Sequence, residues 1–115
     1  MEINKVLEIQ KQIFKEATQI ITDKSHDYSS SDDALANLKS CKALGIEPSD
    51  GVLIRIMDKL GRFANLRNKK AKVQSEKNRD TIIDAINYLV LLYILEEEKQ
   101  SRLEKMKNEM SKLWR

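Results

Sequence analysis

Apolar residues recur three and four positions apart along most of this chain, and the pattern resolves into four predicted helices. Between Ile3 and Asp23, the residues Val6, Ile9, Ile13, Ala17, Ile20 and Ile21 make one apolar face. The polar stretch from Lys24 to Asp33, rich in serine, reads as a loop, and Ser31 or Asp32 can cap a second helix that runs to about Leu44. Gly45 supplies its C-terminal stop. Pro48 suits the first position of a third helix, with Ser49 or Asp50 as a cap. On that helix Leu53, Ile56, Met57, Leu60, Phe63 and Ala64 line one side, and the interior Gly61 permits close approach by a neighbouring helix. A basic linker, 67–75, leads to a fourth helix that starts near Glu76 with Ser75 as its cap.

Nothing stops the fourth helix. No Gly or Pro follows Glu76, and beyond Glu96 the residues Leu103, Met106, Met110 and Leu113 keep a heptad-like rhythm. Fewer than three heptads make a short coiled coil, so this extension is expected to pack on the first helix or on a neighbouring subunit. The pattern divides the chain into a helical core, 1–98, and a helical extension, 99–115.

Composition reinforces the helical reading. Of 115 residues, 34% are charged and only three are Gly, with one Pro. The length suits one domain. A net charge of +3 is too mild to point to nucleic acid. A single cysteine, Cys41, permits no intrachain disulfide, and the charged N-terminal residues do not resemble a signal peptide. The apolar run from Ile82 to Leu95 contains Asp84 and Asn87 and is too short to span a bilayer. These features together predict a cytoplasmic protein.

The fourth helix carries the most informative chemistry. Glu76, Asp80, Asp84 and Asn87 fall in one narrow sector, opposite Ile82, Ala85, Ile86, Leu89 and Tyr93, and the C-terminal half is apolar nearly all round. Such a helix is expected to be buried. Carboxylates there need a cation or basic side chains to neutralise them. Mg²⁺ is one neutraliser. The other is the third helix, where Arg55, Asp58, Lys59 and Arg62 share a side and could line a phosphate site.

Ordinary structural roles fit some of the same residues. Acidic side chains in a first turn complement the helix dipole, which covers Glu76 and part of Asp80 but not Asp84. Arg55, Asp58, Lys59 and Arg62 can form surface pairs, each worth at most about 0.5 kcal/mol. A histidine in a polar loop, His26, is more often solvated than catalytic, and Tyr28 can simply anchor the loop.

Four segments in order give a resemblance: K-x-H-D-Y from Lys24 to Tyr28, D-x-x-x-N from Asp33 to Asn37, L-x-R-x-x-D-K-x-x-R from Leu53 to Arg62, and D-T-x-x-D-x-x-N-Y from Asp80 to Tyr88. They resemble the small, largely phage-encoded proteins of the nucleotide-modification-associated type. Those in turn are similar to the all-α nucleoside triphosphate pyrophosphatases typified by MazG and dUTPase. The likeness spans about residues 8–96. It implies an all-α, MazG-like four-helix bundle, often oligomeric, with a nucleotide held between helices. It also implies Mg²⁺-dependent hydrolysis of a nucleoside triphosphate to the monophosphate and pyrophosphate.

Carried onto this chain, the resemblance makes Asp58, Asp80 and Asp84 the metal-binding and catalytic set, with Glu76 beside them. A second metal would draw on Glu76 or Asp27. Arg55, Lys59 and Arg62 become phosphate ligands, and Asn87, His26 and Tyr28 further substrate contacts. The glutamate pair E-x-x-E of those enzymes has no match, since the third helix offers only Asp58 followed by Lys59. An alternative therefore stands beside the hydrolase: a non-catalytic protein that sequesters a nucleotide or cyclic nucleotide. Either reading predicts one or two Mg²⁺ ions or a phosphate-bearing ligand, a homo-oligomer such as a dimer or tetramer, and no membrane partner.

Overall fold

The computed structural model describes residues 1–28, 33–68 and 72–114, and the side chains of 26–28 and 72–77 lie outside the description. The chain is all-helical among these residues, with no strand. Helix α1 spans Ile3–Tyr28, a 3-10 helix spans Ala36–Leu44, α2 spans Pro48–Leu66 and α3 spans Lys72–Leu113.

Helix boundaries follow local chemistry. α1 continues to Tyr28, into the segment read as a loop, and the hydroxyls near its end are satisfied within the helix: Thr22 Oγ1 donates to the Thr18 carbonyl at 2.7 Å and Ser25 Oγ to the Thr22 carbonyl at 2.8 Å. The predicted caps Ser31 and Asp32 lie outside the described residues. Asp33 opens the next element instead, its carboxylate accepting the Leu35 N–H at 2.9 Å. The element it opens is a 3-10 helix rather than an α-helix.

Gly45 ends the 3-10 helix as expected. Its φ of 74° is left-handed, and its N–H donates to the Lys42 carbonyl. Pro48 opens α2, and Ser49 and Asp50 sit inside its first turn, with Glu47 as the cap residue. α3 starts earlier than predicted, so Ser75 is within the helix and Asp80 is far beyond its first turn. The helix dipole therefore accounts for neither Ser75 as a cap nor Asp80 as a first-turn acid.

α2 and α3 run antiparallel as a hairpin. Lys59 meets Asp84, Arg55 meets Tyr88, and Val52 and Ile56 pack with Leu95. The buried side of α2 is Ser49, Val52 and Ile56, continued by the half-buried Lys59, Phe63 and Leu66. This corrects the stripe read from the sequence. Leu53, Met57, Leu60 and Ala64 are exposed, because the apolar arc of α2 is wider than its seam with α3. Gly61, expected to meet a neighbouring helix, has no described residue within 4 Å of the position a Cβ would take.

The 3-10 helix and the second half of α1 cover one side of this hairpin. Leu35 and Leu38 pack on the Val52, Ile56 and Leu95 cluster. Ala17 of α1 is buried, Asn87 Nδ2 donates to its carbonyl at 3.0 Å, and Arg79 pairs with Glu16 at 2.7 Å. The remaining parts project. Residues 1–12 and 100–114 are exposed throughout, and the extension is tied back by Arg102 to Glu47 at 3.1 Å. Within one chain the extension does not pack on α1. The second expectation that fails within one chain is burial of α3 on all sides, since Leu89, Val90 and Tyr93 are more than half exposed. No helix is long and apolar enough to cross a membrane among the described residues.

Candidate functional site

A cavity of about 370 Å³ opens where α1, the 3-10 helix and the hairpin meet. Its apolar wall comes from Ile21, Leu38 and Leu91. The polar groups arrive from four separate segments: Lys24 and Ser25 from α1, Asp33 and Asn37 from the 3-10 region, Arg55 from α2, and Asp84, Asn87 and Tyr88 from α3. Each of the four motifs read in the sequence thus contributes at least one side chain to the same space.

The two carboxylates of the cavity are already engaged. Asp84 Oδ2 accepts from Lys59 Nζ at 3.2 Å across the α2–α3 seam, and both side chains keep 26% of their surface. This pair explains why an apolar stretch of α3 carries an acid in its fourth turn. Asp33 accepts from Lys39 Nζ at 2.7 Å, and Lys39 reaches Glu98 at 3.0 Å. The Lys39 hydrogen bond, followed by the Leu35 N–H, holds the Asp33 carboxyl below its ordinary value. Hydrogen bonds from Lys39 to Asp33 and then to Glu98 raise the Lys39 ammonium.

The two cations that line the cavity are not engaged in this way. Neither Lys24 nor Arg55 forms an ion pair among the described residues. The Arg55 guanidinium lies 5.9 Å from the Tyr88 ring centroid, a cation–π distance that fixes it at the rim while leaving its in-plane N–H donors available. With Asp33 and Asp84 each paired to a lysine, the uncompensated charge that the described residues turn toward the space is positive.

Of the residues predicted for the site, the cavity gathers Arg55, Asp84 and Asn87. Asn87 also clamps α1 to α3 through the Ala17 carbonyl. Lys59 reaches the site only through Asp84. Asp58, Arg62 and Asp80 are exposed and do not line it. The side chains of His26, Asp27, Tyr28 and Glu76 lie outside the described residues. Among the described residues, no three His, Cys, Asp or Glu side chains are grouped to hold a metal ion. Of Asp58, Asp80 and Asp84, the three carboxylates expected to share a Mg²⁺ ion, only Asp84 lines the cavity.

The sequence reading left out Lys24, Asp33 and Asn37. All three stand in the four ordered segments, where Asp33 and Asn37 mark only a helix start. The signal was their recurrence in the same ordered set of segments.

The Lys59–Asp84 pair gives a prediction. Asp84→Ala strands a partly buried ammonium and is expected to destabilise the fold by about 1–2 kcal/mol, between the values for exposed and buried pairs. Replacing both partners by Met and Leu is expected to recover most of that loss. Urea unfolding of wild type and the two variants measures it, and an Asp84→Ala midpoint equal to wild type would show that the pair contributes nothing.

No protein-family model matches the chain, and neither a curated protein nor a solved structure matches it.

Proposed function

We propose that the chain binds a nucleotide in this cavity, with Lys24 and Arg55 on its phosphates and the apolar wall of Ile21, Leu38 and Leu91 against its base. The observation that supports the reading is the charge arrangement: among the described residues, two cations without an ion pair face a space whose carboxylates, Asp33 and Asp84, are each tied to a lysine. Such a site attracts an anion, and bidentate Arg suits phosphate oxygens. The cavity is at the small end of the roughly 300–1,000 Å³ range of ligand sites, enough for one nucleotide-sized molecule. Asn37 and Asn87 supply amides for the base or sugar.

Binding without hydrolysis is the reading the geometry favours. Metal-assisted pyrophosphate cleavage needs free carboxylates to hold the ion, whereas Asp84 is occupied by Lys59 and Asp58 and Asp80 stand away from the cavity. The test is mass spectrometry of small molecules released on denaturing the purified protein, alongside pyrophosphate release from a nucleotide panel with Mg²⁺ or Mn²⁺. An intact nucleotide recovered in stoichiometric amount, without pyrophosphate release, is expected. Steady pyrophosphate release abolished by Asp84→Asn would instead establish the hydrolase. No bound nucleotide and no nucleotide-dependent thermal shift would reject both.

A further inference from the structure

The α2–α3 hairpin has two broad sides, and among the described residues only one is covered. Arg55 of α2 and Asp84, Asn87 and Leu91 of α3 emerge on the cavity side. Because the helices are antiparallel, residues turned the opposite way from the seam emerge together on the other side. These are Leu53, Met57 and Leu60 on α2, and Ile82, Leu89 and Tyr93 on α3. Their exposures run from 44% for Ile82 to 66% for Tyr93. Ala64 and Ile86 fill the same strips, so no charged residue interrupts either of them.

We propose that this outer face docks against the same face of a second copy of the chain, giving a two-fold symmetric dimer built around two α2–α3 hairpins. Six large apolar side chains, half exposed or nearly so, offer on the order of 600 Å², near the roughly 800 Å² that each partner of a stable complex buries. Patches of this size on one chain mark interaction sites.

The remaining features fit a second copy. In a two-fold interface each strip meets its own counterpart or its neighbour, where any charge would face a like charge or lose its water. Strips without a charge at any position satisfy that condition. Gly61 and Ala64 leave a shallow place beside Leu60 for a large partner side chain such as Met57 or Tyr93, and no described residue of the same chain comes within 4 Å of where a Gly61 side chain would start. The single chain is also extended: its radius of gyration is 18.5 Å, against about 13 Å for a compact chain of this length. Docking leaves the cavity open, because it lies on the other side of the hairpin, and the proposal does not rest on the nucleotide reading.

Sedimentation velocity tests it. Wild type is expected to sediment as twice the 13.3 kDa chain at micromolar concentration. Met57→Glu and, separately, Leu89→Glu are expected to raise the dissociation constant at least about 100-fold, by burying an unpaired carboxylate at the centre of the interface. Both sites are more than half exposed in the single chain, so far-UV circular dichroism should show unchanged helicity; Met57, at 64%, is decisive if the other variant misfolds. A wild-type chain that stays monomeric, whether alone or because a foreign partner takes this face, would overturn the proposal. So would a dimer whose dissociation constant Met57→Glu leaves unchanged.

Discussion

Arg55→Glu is expected to abolish nucleotide binding while leaving the helices intact. Arg55 is exposed and its visible partner is the Tyr88 ring, so little of the fold depends on it. Losing charge-assisted hydrogen bonds to phosphate costs a factor of about 10–100, and reversing the charge adds repulsion at the same point, for a total of at least about 100-fold. Arg55→Lys keeps the charge but not the fork geometry and is expected to fall between the two. Calorimetric titration measures the affinity and circular dichroism the helicity. Unchanged affinity in Arg55→Glu would remove Arg55 from the phosphate site.

The second large effect concerns the core. Ile56 is 4% exposed and packs with Val52 and Leu95, and Leu35, Leu38, Tyr88 and Leu92 close the cluster. Ile56→Ala is expected to cost about 2–4 kcal/mol, from lost apolar burial and the space left behind. That is a large share of the roughly 5–15 kcal/mol that holds a typical domain together. Leu38 and Tyr88 pack on this cluster and also line the cavity, so the same variant should loosen the ligand site. Leu103→Ala on the projecting extension is the control, expected within about 0.5 kcal/mol of wild type at monomeric concentration. Thermal melts that place the two variants together would show that the Ile56 cluster is not the core.

Periodicity located the helices well because it reports which side of a helix is apolar. It reported less well which part of that side is used within one chain. On α2 the apolar arc includes both Val52 and Met57, and only the packing of α3 decides that Val52 is buried and Met57 is not. Lys59 was legible as one of several cations on α2 able to neutralise the acidic sector of α3, but spacing on either helix does not say that Asp84 is the carboxylate it meets at the seam. The extent of α1 differs for a local reason: the serine-rich stretch after Asp23 reads as a loop, whereas Ser25 bonds back to the Thr22 carbonyl of the same helix.

The candidate site divides in the same way. Arg55, Asp84 and Asn87 were legible as a charged or polar sector on a mainly apolar helix. Asp58 and Asp80 shared that legibility, but a sector of a helix spans several neighbours, and the cavity occupies only one of them. Lys24 and Asn37 carried no periodic signal, since each contributes one side chain from its own segment. Their meeting point is a property of the tertiary fold.

The most direct measurement is amide and side-chain chemical-shift mapping of the isotopically labelled protein during titration with a nucleoside triphosphate. The proposed site predicts saturable shifts concentrated at Lys24, Asn37, Arg55, Asn87 and Tyr88, four segments responding with one affinity. Shifts confined to the basic linker or the projecting end of α3, or no saturable shift at all, would contradict it.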